Sequence, residues 1–376
     1  MNDEYFMEIA LREAQKGMGR TSPNPCVGAV ITRGNEILAK GWHKRAGMPH
    51  AEREALAVAA KNGIDVTGAT LYVTLEPCNH TGKTPPCTEA ILEAGFSRVV
   101  IGMMDPHPLV DGSGVERLRA NNIEITLGIL EEKCRKINLP FISAITKGRP
   151  WVVMKAGVSL DGQLNFRTGE RAAITGKASL REGHRLRNRL DGILVGKNTV
   201  EIDNPSLTTR LDVKKSRDPI RILLDRNLSL SPALRVFTQK SASATWVFCS
   251  DTVSELQIHR YEAEGLRIFT IAEKDDGLDL HQLLRRLAEE NICSLLVEGG
   301  GSIHASFLAQ RLVDYAYLFY APIFAGDGGI PLVRGFSANG RLQAPRIDPV
   351  KLKRCGKDFL VAGPVLYEIE DSSIVS

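Results

Sequence analysis

The sequence predicts an α/β protein built from two layered domains. The chain has 376 residues, more than one hydrophobic core ordinarily serves. Short β-branched runs alternate with helical stretches in both halves, as in sheets covered by helices. A polar break, Thr146-Lys147-Gly148-Arg149-Pro150, interrupts the alternation. The expected domains are residues 1–146 and 150–376.

Hydrophobic residues make up 43% and charged residues 24%, which excludes a disordered chain. No run of 18 apolar residues is present, so no membrane-spanning helix is expected. Met1-Asn2-Asp3-Glu4-Tyr5 carries two acids and no basic stretch, which argues against a secretory signal. Seven cysteines, an odd and low number, do not suggest a disulfide framework. A reducing cytoplasm is expected, with Cys78 and Cys87 free for metal. The net charge of +4, without a basic tract interleaved with aromatics, argues against nucleic acid and tolerates phosphorylated small molecules.

In the first domain, Phe6, Ile9, Ala10 and Ala14 mark a helix over about 3–17, ended by Gly17 and Gly19. After a Pro-rich turn at 21–26, strands are expected at 27–31 and 37–42, joined at Gly34-Asn35. Asn24 precedes the first strand, and its amide either caps the turn or hydrogen-bonds a heterocycle. His50 introduces a helix over 51–60, which places His50 and Glu52 at a helix N-terminus. A strand at 69–75 runs into Glu76-Pro77-Cys78, and Pro85-Pro86 preset the turn into Cys87, which opens another helix. A strand at 99–102, a helix at 115–120 and a strand at 123–127 follow. Asp105-Pro106-His107-Pro108 lies where open α/β sheets carry ligand-contacting loops.

His50, Cys78 and Cys87 offer one imidazole and two thiolates to zinc and leave the fourth tetrahedral position to water. Zinc brings the pKa of water toward neutrality, and hydroxide then attacks an amidine-like ring carbon. Glu52 carries the proton from water to a ring nitrogen while ammonia leaves. Taken singly, His50 reads as a surface histidine, Glu52 as a helix-dipole acid and each cysteine as an inert core residue. Their combination reads as a zinc deaminase. A closed zinc site would need His80 as fourth ligand, but His80 is expected to face the cleft. Eight residues separate the cysteines, where the general deaminase signature has two. The longer loop carries His80, Lys83 and Thr84 around Gly82, side chains that suit a phosphate or sugar. Glu76 is assigned to orienting the turn and not to catalysis.

In the second domain, strands are expected at 151–154, 193–195, 220–224, 245–249, 266–271 and 294–297, with helices at 179–190, 279–290 and 303–309. Leu295-Leu296-Val297-Glu298 runs into Gly299, Gly300 and Gly301 and then a helix. This is either a tight turn or a loop whose N–H groups hold a pyrophosphate, without the full dinucleotide fingerprint. Arg187 and Arg210 are either surface charges or guanidinium forks for phosphate. Tyr315, Tyr317, Phe319 and Tyr320 form an aromatic strand, core or interface, whose alternation suggests a partly exposed face.

These motifs resemble the family of bifunctional riboflavin-biosynthesis pyrimidine deaminase/reductases over nearly the whole chain. The resemblance rests on Pro23-Asn24-Pro25, His50-Ala51-Glu52, Thr74 to Cys78 and Thr84-Pro85-Pro86-Cys87 in the first half. In the second it rests on Lys155 with Ser159-Leu160-Asp161-Gly162, Asp203-Asn204-Pro205 with Leu207 and Arg210, and Val297-Glu298-Gly299-Gly300. It implies a cytidine-deaminase-like three-layer α/β/α domain and a dihydrofolate-reductase-like α/β domain. The first would use one Zn²⁺ to remove the 2-amino group of 2,5-diamino-6-ribosylamino-4(3H)-pyrimidinone 5′-phosphate. The second would use NADPH to reduce the ribosyl side chain to ribityl. Lys155, Ala173, Thr199, Asp203 and Gly299 to Gly301 would lie at the cofactor. Arg171, Arg187, Leu207, Arg210 and Glu298 would meet the substrate, and a homodimer would form through the reductase domain.

The chain departs from the family pattern in three places. His107 stands in a usual Asp-Pro-Asn-Pro, Arg171-Ala172-Ala173 replaces a common Ser-x-Trp, and Asn204 replaces a second aspartate. These changes leave open an alternative, a deaminase with a catalytically degenerate reductase-like domain.

Overall fold

The computed structural model describes residues 2–79, 85–107, 112–170, 173–213, 216–274 and 277–367. The chain divides into two compact units, Met1–Arg149 and Pro150–Ser376.

The first unit contains α1 (Asp3–Gln15), β1 (Gly28–Arg33), β2 (Glu36–Trp42), α2 (Ala51–Lys61), β3 (Thr70–Val73), α3 (Cys87–Glu93), β4 (Arg98–Ile101), α4 (Ser113–Ala120), β5 (Glu124–Leu127), α5 (Glu131–Ile137) and α6 (Leu139–Lys147). The strand order is β2-β1-β3-β4-β5. β1 runs antiparallel to both neighbours, whereas β3, β4 and β5 are parallel. Register explains how helices cover both faces. Gly28 pairs with Trp42 and Ala29 with Gly41, and successive strand residues face opposite sides. A Cβ on Gly28 would lie 2.0 Å from the Ala10 carbonyl oxygen of α1, and one on Gly41 2.4 Å from the Ala51 carbonyl oxygen of α2. The missing side chains therefore let α1 close on one face and α2 on the other. The second contact seats the start of α2, which carries His50 and Glu52.

α5 and α6 were not among the expected elements. Each fully buries a single residue, Cys134 and Ser143.

The second unit contains β6 (Trp151–Val158), α7 (Lys177–Arg189), β7 (Gly192–Gly196), α8 (Lys197–Asp203), β8 (Ile220–Leu224), α9 (Arg235–Thr238), β9 (Thr245–Ser250), α10 (Glu255–Ala263), β10 (Arg267–Ile271), β11 (Glu273–Lys274), β12 (Gly277–Leu278), α11 (Leu280–Glu289), β13 (Ser294–Val297), α12 (Gly301–Ala309), β14 (Tyr315–Tyr320), β15 (Arg346–Ile347), β16 (Lys351–Cys355) and β17 (Asp358–Leu366). Its main sheet runs β10-β9-β8-β7-β13-β6-β14-β17-β15, with β16 on β17. The strands from β10 to β14 are parallel, and β17 is antiparallel to β14. Two cores fill its two faces: Val152, Met154 and Leu295 point into one, Val153, Ile193 and Leu296 into the other. Burial on both sides is why these strands read as continuous apolar runs.

The aromatic strand departs from expectation. β14 is paired on both edges, by β6 and β17. Phe319 is fully buried, Tyr315 nearly so, and no residue of the strand is exposed. It is core, and the half-buried Tyr317 and Tyr320 account for its apparent alternation. α10 also escaped prediction, since it buries no residue. Among the described residues, no helix is long and apolar enough to cross a membrane.

Candidate active sites

In the first unit, three element ends meet. His50 is the N-cap of α2, Cys78 follows β3, and Cys87 is the first residue of α3. His50 Nδ1 lies 3.5 Å from Cys78 Sγ and 3.3 Å from Cys87 Sγ. A tetrahedral zinc with bonds of about 2.1 Å to nitrogen and 2.3 Å to sulfur sets such atoms about 3.6 Å apart. The donor set therefore fits zinc in chemistry and spacing. The Cys87 side chain and the His50 imidazole hold the Cys78 thiol far below its ordinary value, at about 4, while Cys87 is pushed up. Zinc takes thiols as thiolates, so both sulfurs can serve as ligands.

Glu52 is 3% exposed, and its Oε2 has no hydrogen-bond partner among the described residues. Burial, and then the Cys78 charge, push its carboxyl above the usual range. Around this centre stands a residue that the sequence reading missed. His43 is 2% exposed and packs edge-on against His50, with ring centroids 5.3 Å apart. Its Nδ1 faces the Pro49 carbonyl oxygen at 3.0 Å, which only accepts, so Nδ1 carries the proton. Nε2 is then a lone pair, and it accepts the Asn24 amide N–H at 3.1 Å. The Asn24 side chain thus goes to His43, with its Oδ1 left as an acceptor by this tautomer. No sequence signal marked His43 beyond its residue type.

Glu76 is structural, as expected. Its buried carboxylate accepts N–H groups from Asp105, Gly112, Gly114 and Val115 at 3.0 to 3.3 Å. On the other side of Cys78, Asn79 donates to the Ser113 carbonyl and accepts from the Thr88 hydroxyl. His80, Lys83 and Thr84 lie outside the described residues, as do Arg171 and Pro108.

In the second unit, a cavity of about 830 Å³ opens at the C-terminal ends of the parallel strands. Lys155, Thr199, Asp203, Glu298, Gly299, Gly300 and Gly301 line it together. Ala173 is exposed and is not part of the described wall. The glycines divide the two readings between them. A Cβ on Gly299 would sit 2.5 Å from Ile303, and one on Gly301 2.2 Å from the Pro331 carbonyl oxygen, so packing requires both. A Cβ on Gly300 would meet only Thr199 Oγ1, at 3.9 Å, so this residue leaves room. Gly300 is the N-cap of α12, whose first N–H groups suit a pyrophosphate.

Arg187 is not a free phosphate fork. Its Nε and Nη2 donate to the two oxygens of Glu298, and Nη1 donates to the Thr208 carbonyl at 3.2 Å. Lys155 Nζ stands 3.8 Å from the same carboxylate. Burial opposes ionisation of Glu298, but Arg187 and Lys155 outweigh it and hold the carboxyl at about 2. Leu207 belongs to the core, 3% exposed. Arg210 is exposed, and its backbone N–H donates to His184 Nδ1 at 3.3 Å. Asn204 ends α8 in left-handed backbone, φ 41°, with its Oδ1 accepting the Arg235 N–H at 2.7 Å. Asn and Asp are the non-glycine residues most at home there, so the departure from the family pattern suits the turn.

Residues 150–361 match the family model described as the RibD C-terminal domain, and residues 1–103 match that of the cytidine and deoxycytidylate deaminase zinc-binding region. The chain is 37% identical to riboflavin biosynthesis protein RibD of Bacillus amyloliquefaciens, over 95% of either chain. The chain belongs to the RibD family. The RibD of Escherichia coli strain K12 is 36% identical over 95% of this chain and 98% of its own. A solved Thermotoga maritima diaminohydroxyphosphoribosylaminopyrimidine deaminase/5-amino-6-(5-phosphoribosylamino)uracil reductase superposes with a TM-score of 0.84 at 39% identity, covering 96% of this chain and 98% of the other. Acinetobacter baumannii RibD superposes at 0.86 and 30% identity, covering 97% and 99%. Family membership assigns the two folds, a deaminase-like α/β/α unit and a reductase-like α/β unit. The chain is a zinc-dependent deaminase joined to an NADPH-dependent reductase, with zinc at His50, Cys78 and Cys87.

Proposed function

We propose that the two sites act in turn on one phosphorylated pyrimidine, 2,5-diamino-6-ribosylamino-4(3H)-pyrimidinone 5′-phosphate, in riboflavin biosynthesis. The observation that carries the first step is the buried Glu52 carboxyl, without a hydrogen-bond partner for Oε2, beside the His50, Cys78 and Cys87 donors. Zinc, when bound, supplies the Lewis acidity that makes water nucleophilic near neutral pH. Glu52 relays the two protons of that water in turn, the first to the ring nitrogen and the second to the amine, which departs as ammonia. Its raised carboxyl pKa suits a group that must hold a proton for part of the cycle. Asn24, oriented by His43, offers Oδ1 to the pyrimidine N–H groups. His80, Lys83 and Thr84 supply phosphate and sugar contacts in this reading.

In the second site, NADPH, when bound, supplies hydride. Gly299 to Gly301, with Thr199 and Asp203, hold the cofactor. Lys155 lies on the cofactor side, and Glu298 faces the substrate's pyrimidine as hydrogen-bond acceptor. Arg187 acts by fixing Glu298, and the exposed Arg210 is the phosphate contact. A homodimer through the reductase unit and a cytoplasmic location complete the proposal. The exposed Leu352 and Phe359 on the paired β16 and β17 support such an apolar contact.

A paired assay on zinc-loaded protein tests this, with ammonia release and NADPH oxidation followed together. Ammonia with or without NADPH, and NADPH oxidation only alongside deamination, is the expected result. Ammonia without NADPH oxidation would favour a deaminase carrying a degenerate second unit.

A further inference from the structure

We infer that His184 is a positioning residue that makes the reductase site read its substrate's phosphate, by holding the Arg210 segment in register with Glu298. The inference rests on the reductase reading above and adds a specificity element to it.

In that reading Glu298 meets the pyrimidine and Arg210 the phosphate, the two ends of one molecule. The chain carries them on separate segments, Glu298 just after β13 and Arg210 between α8 and β8. One face of α7 ties both. Residues 184 and 187 lie three apart on that helix and so point to the same side. Arg187 gives two N–H groups to Glu298 and a third to the Thr208 carbonyl. One turn earlier, His184 Nδ1 accepts the Arg210 backbone N–H at 3.3 Å.

The stretch from Leu207 to Arg210 belongs to no helix or strand, so side chains from elsewhere set its path. Leu207 is buried and holds left-handed backbone, φ 54°, a conformation that persists only where the surroundings impose it. The Thr208 carbonyl is held by Arg187, and the Thr209 N–H donates to Asp218 Oδ1 at 2.8 Å. For Arg210 itself, the bond to His184 is the one hydrogen bond among the described residues, and its guanidinium has no ion-pair partner there. The charge is open to an anion, and one imidazole fixes the backbone that bears it.

That duty needs a lone pair on Nδ1, so the hydrogen of the neutral ring is on Nε2. Burial, and then the Arg187 and Arg210 charges, hold the His184 pKa down at about 4, which keeps the ring neutral and the lone pair in place. Asparagine carries an acceptor at the same δ position, whereas glutamine carries it one bond further out.

Steady-state reduction by the full chain tests this, with the deaminated phosphoribosyl pyrimidine and its dephosphorylated counterpart as substrates. Wild type is expected to show the lower KM for the phosphorylated compound. His184→Ala should raise that KM about tenfold, the scale of one hydrogen bond, with kcat and the KM of the dephosphorylated compound within about twofold. His184→Asn should recover most of the loss, and His184→Gln should not. Arg210→Gln should raise the same KM, and adding His184→Ala to it should cost little more, because His184 acts through Arg210. Thermal midpoints verify folding, and the asparagine–glutamine comparison decides the matter even where His184→Ala is unstable. Equal loss on both substrates, an asparagine variant as weak as the alanine one, or additive losses overturn the inference while the phosphate contact at Arg210 stands. A wild-type KM in Arg210→Gln overturns both.

Discussion

Arg187 and Glu298 form a two-pronged ion pair, with Nε to Oε1 at 3.0 Å and Nη2 to Oε2 at 2.7 Å, across 111 residues of sequence. Their side chains are 15% and 10% exposed, and Glu298 lines the reductase cavity. The pair sets the charge of that lining, because Glu298 stays ionised despite burial and can answer Lys155.

Breaking the pair from one side leaves the other charge largely buried. Glu298→Gln or Arg187→Met should each cost about 3 kcal/mol in urea unfolding of the second unit. The double variant should cost clearly less than the sum. Additive losses would show that the two residues stabilise the fold independently. NADPH oxidation should fall in both single variants.

Glu52→Gln keeps the shape of the side chain and removes its proton transfer. Zinc content should stay at one per chain while ammonia release falls by about 10² to 10⁴. Turnover near wild type would remove Glu52 from the chemistry, and loss of zinc would make it part of the metal site.

Glu76→Ala removes one carboxylate from four backbone N–H groups around the start of α4. The expected loss is about 3 kcal/mol of stability. Cys78, two residues on, should release zinc to a chelator faster. An unchanged thermal midpoint together with unchanged zinc release would show that these bonds hold nothing in place.

His304 is fully buried on α12, and burial holds its pKa down at about 4 against an ordinary 6.5. The folded state therefore binds fewer protons than the unfolded one between those values. Stability of the second unit should fall as pH drops from about 6.5 toward 4, by on the order of 2–3 kcal/mol from this residue. Glu298, depressed to about 2, adds a further loss below about pH 4.5. His304→Gln should flatten the upper limb only. Parallel pH curves for variant and wild type above pH 4.5 would show that another group is responsible.

The zinc centre was readable because each donor lies at a boundary that local signals announce. His50 precedes a helical run, Cys78 follows a strand, and Pro85 and Pro86 turn the chain into Cys87. His43 was not readable, since its importance lies in being buried against His50, and burial arises only when β2 and α2 close together. The glycine run told that backbone would approach something closely, but not that Gly299 and Gly301 serve packing while Gly300 opens to the cavity. Arg187 illustrates the converse limit. Residue type proposed a phosphate fork, and the fold engaged that fork with a carboxylate.

From sequence alone followed the alternation of strands and helices, the zinc donor set, and membership of a family. All of these depend on residue type and short-range spacing, which a linear chain displays. Only the tertiary structure decided that β14 is core, that Glu298 is paired with Arg187, and that His43 orients Asn24. Those outcomes depend on strand register and on exclusion of water, which follow from packing between residues far apart in the chain.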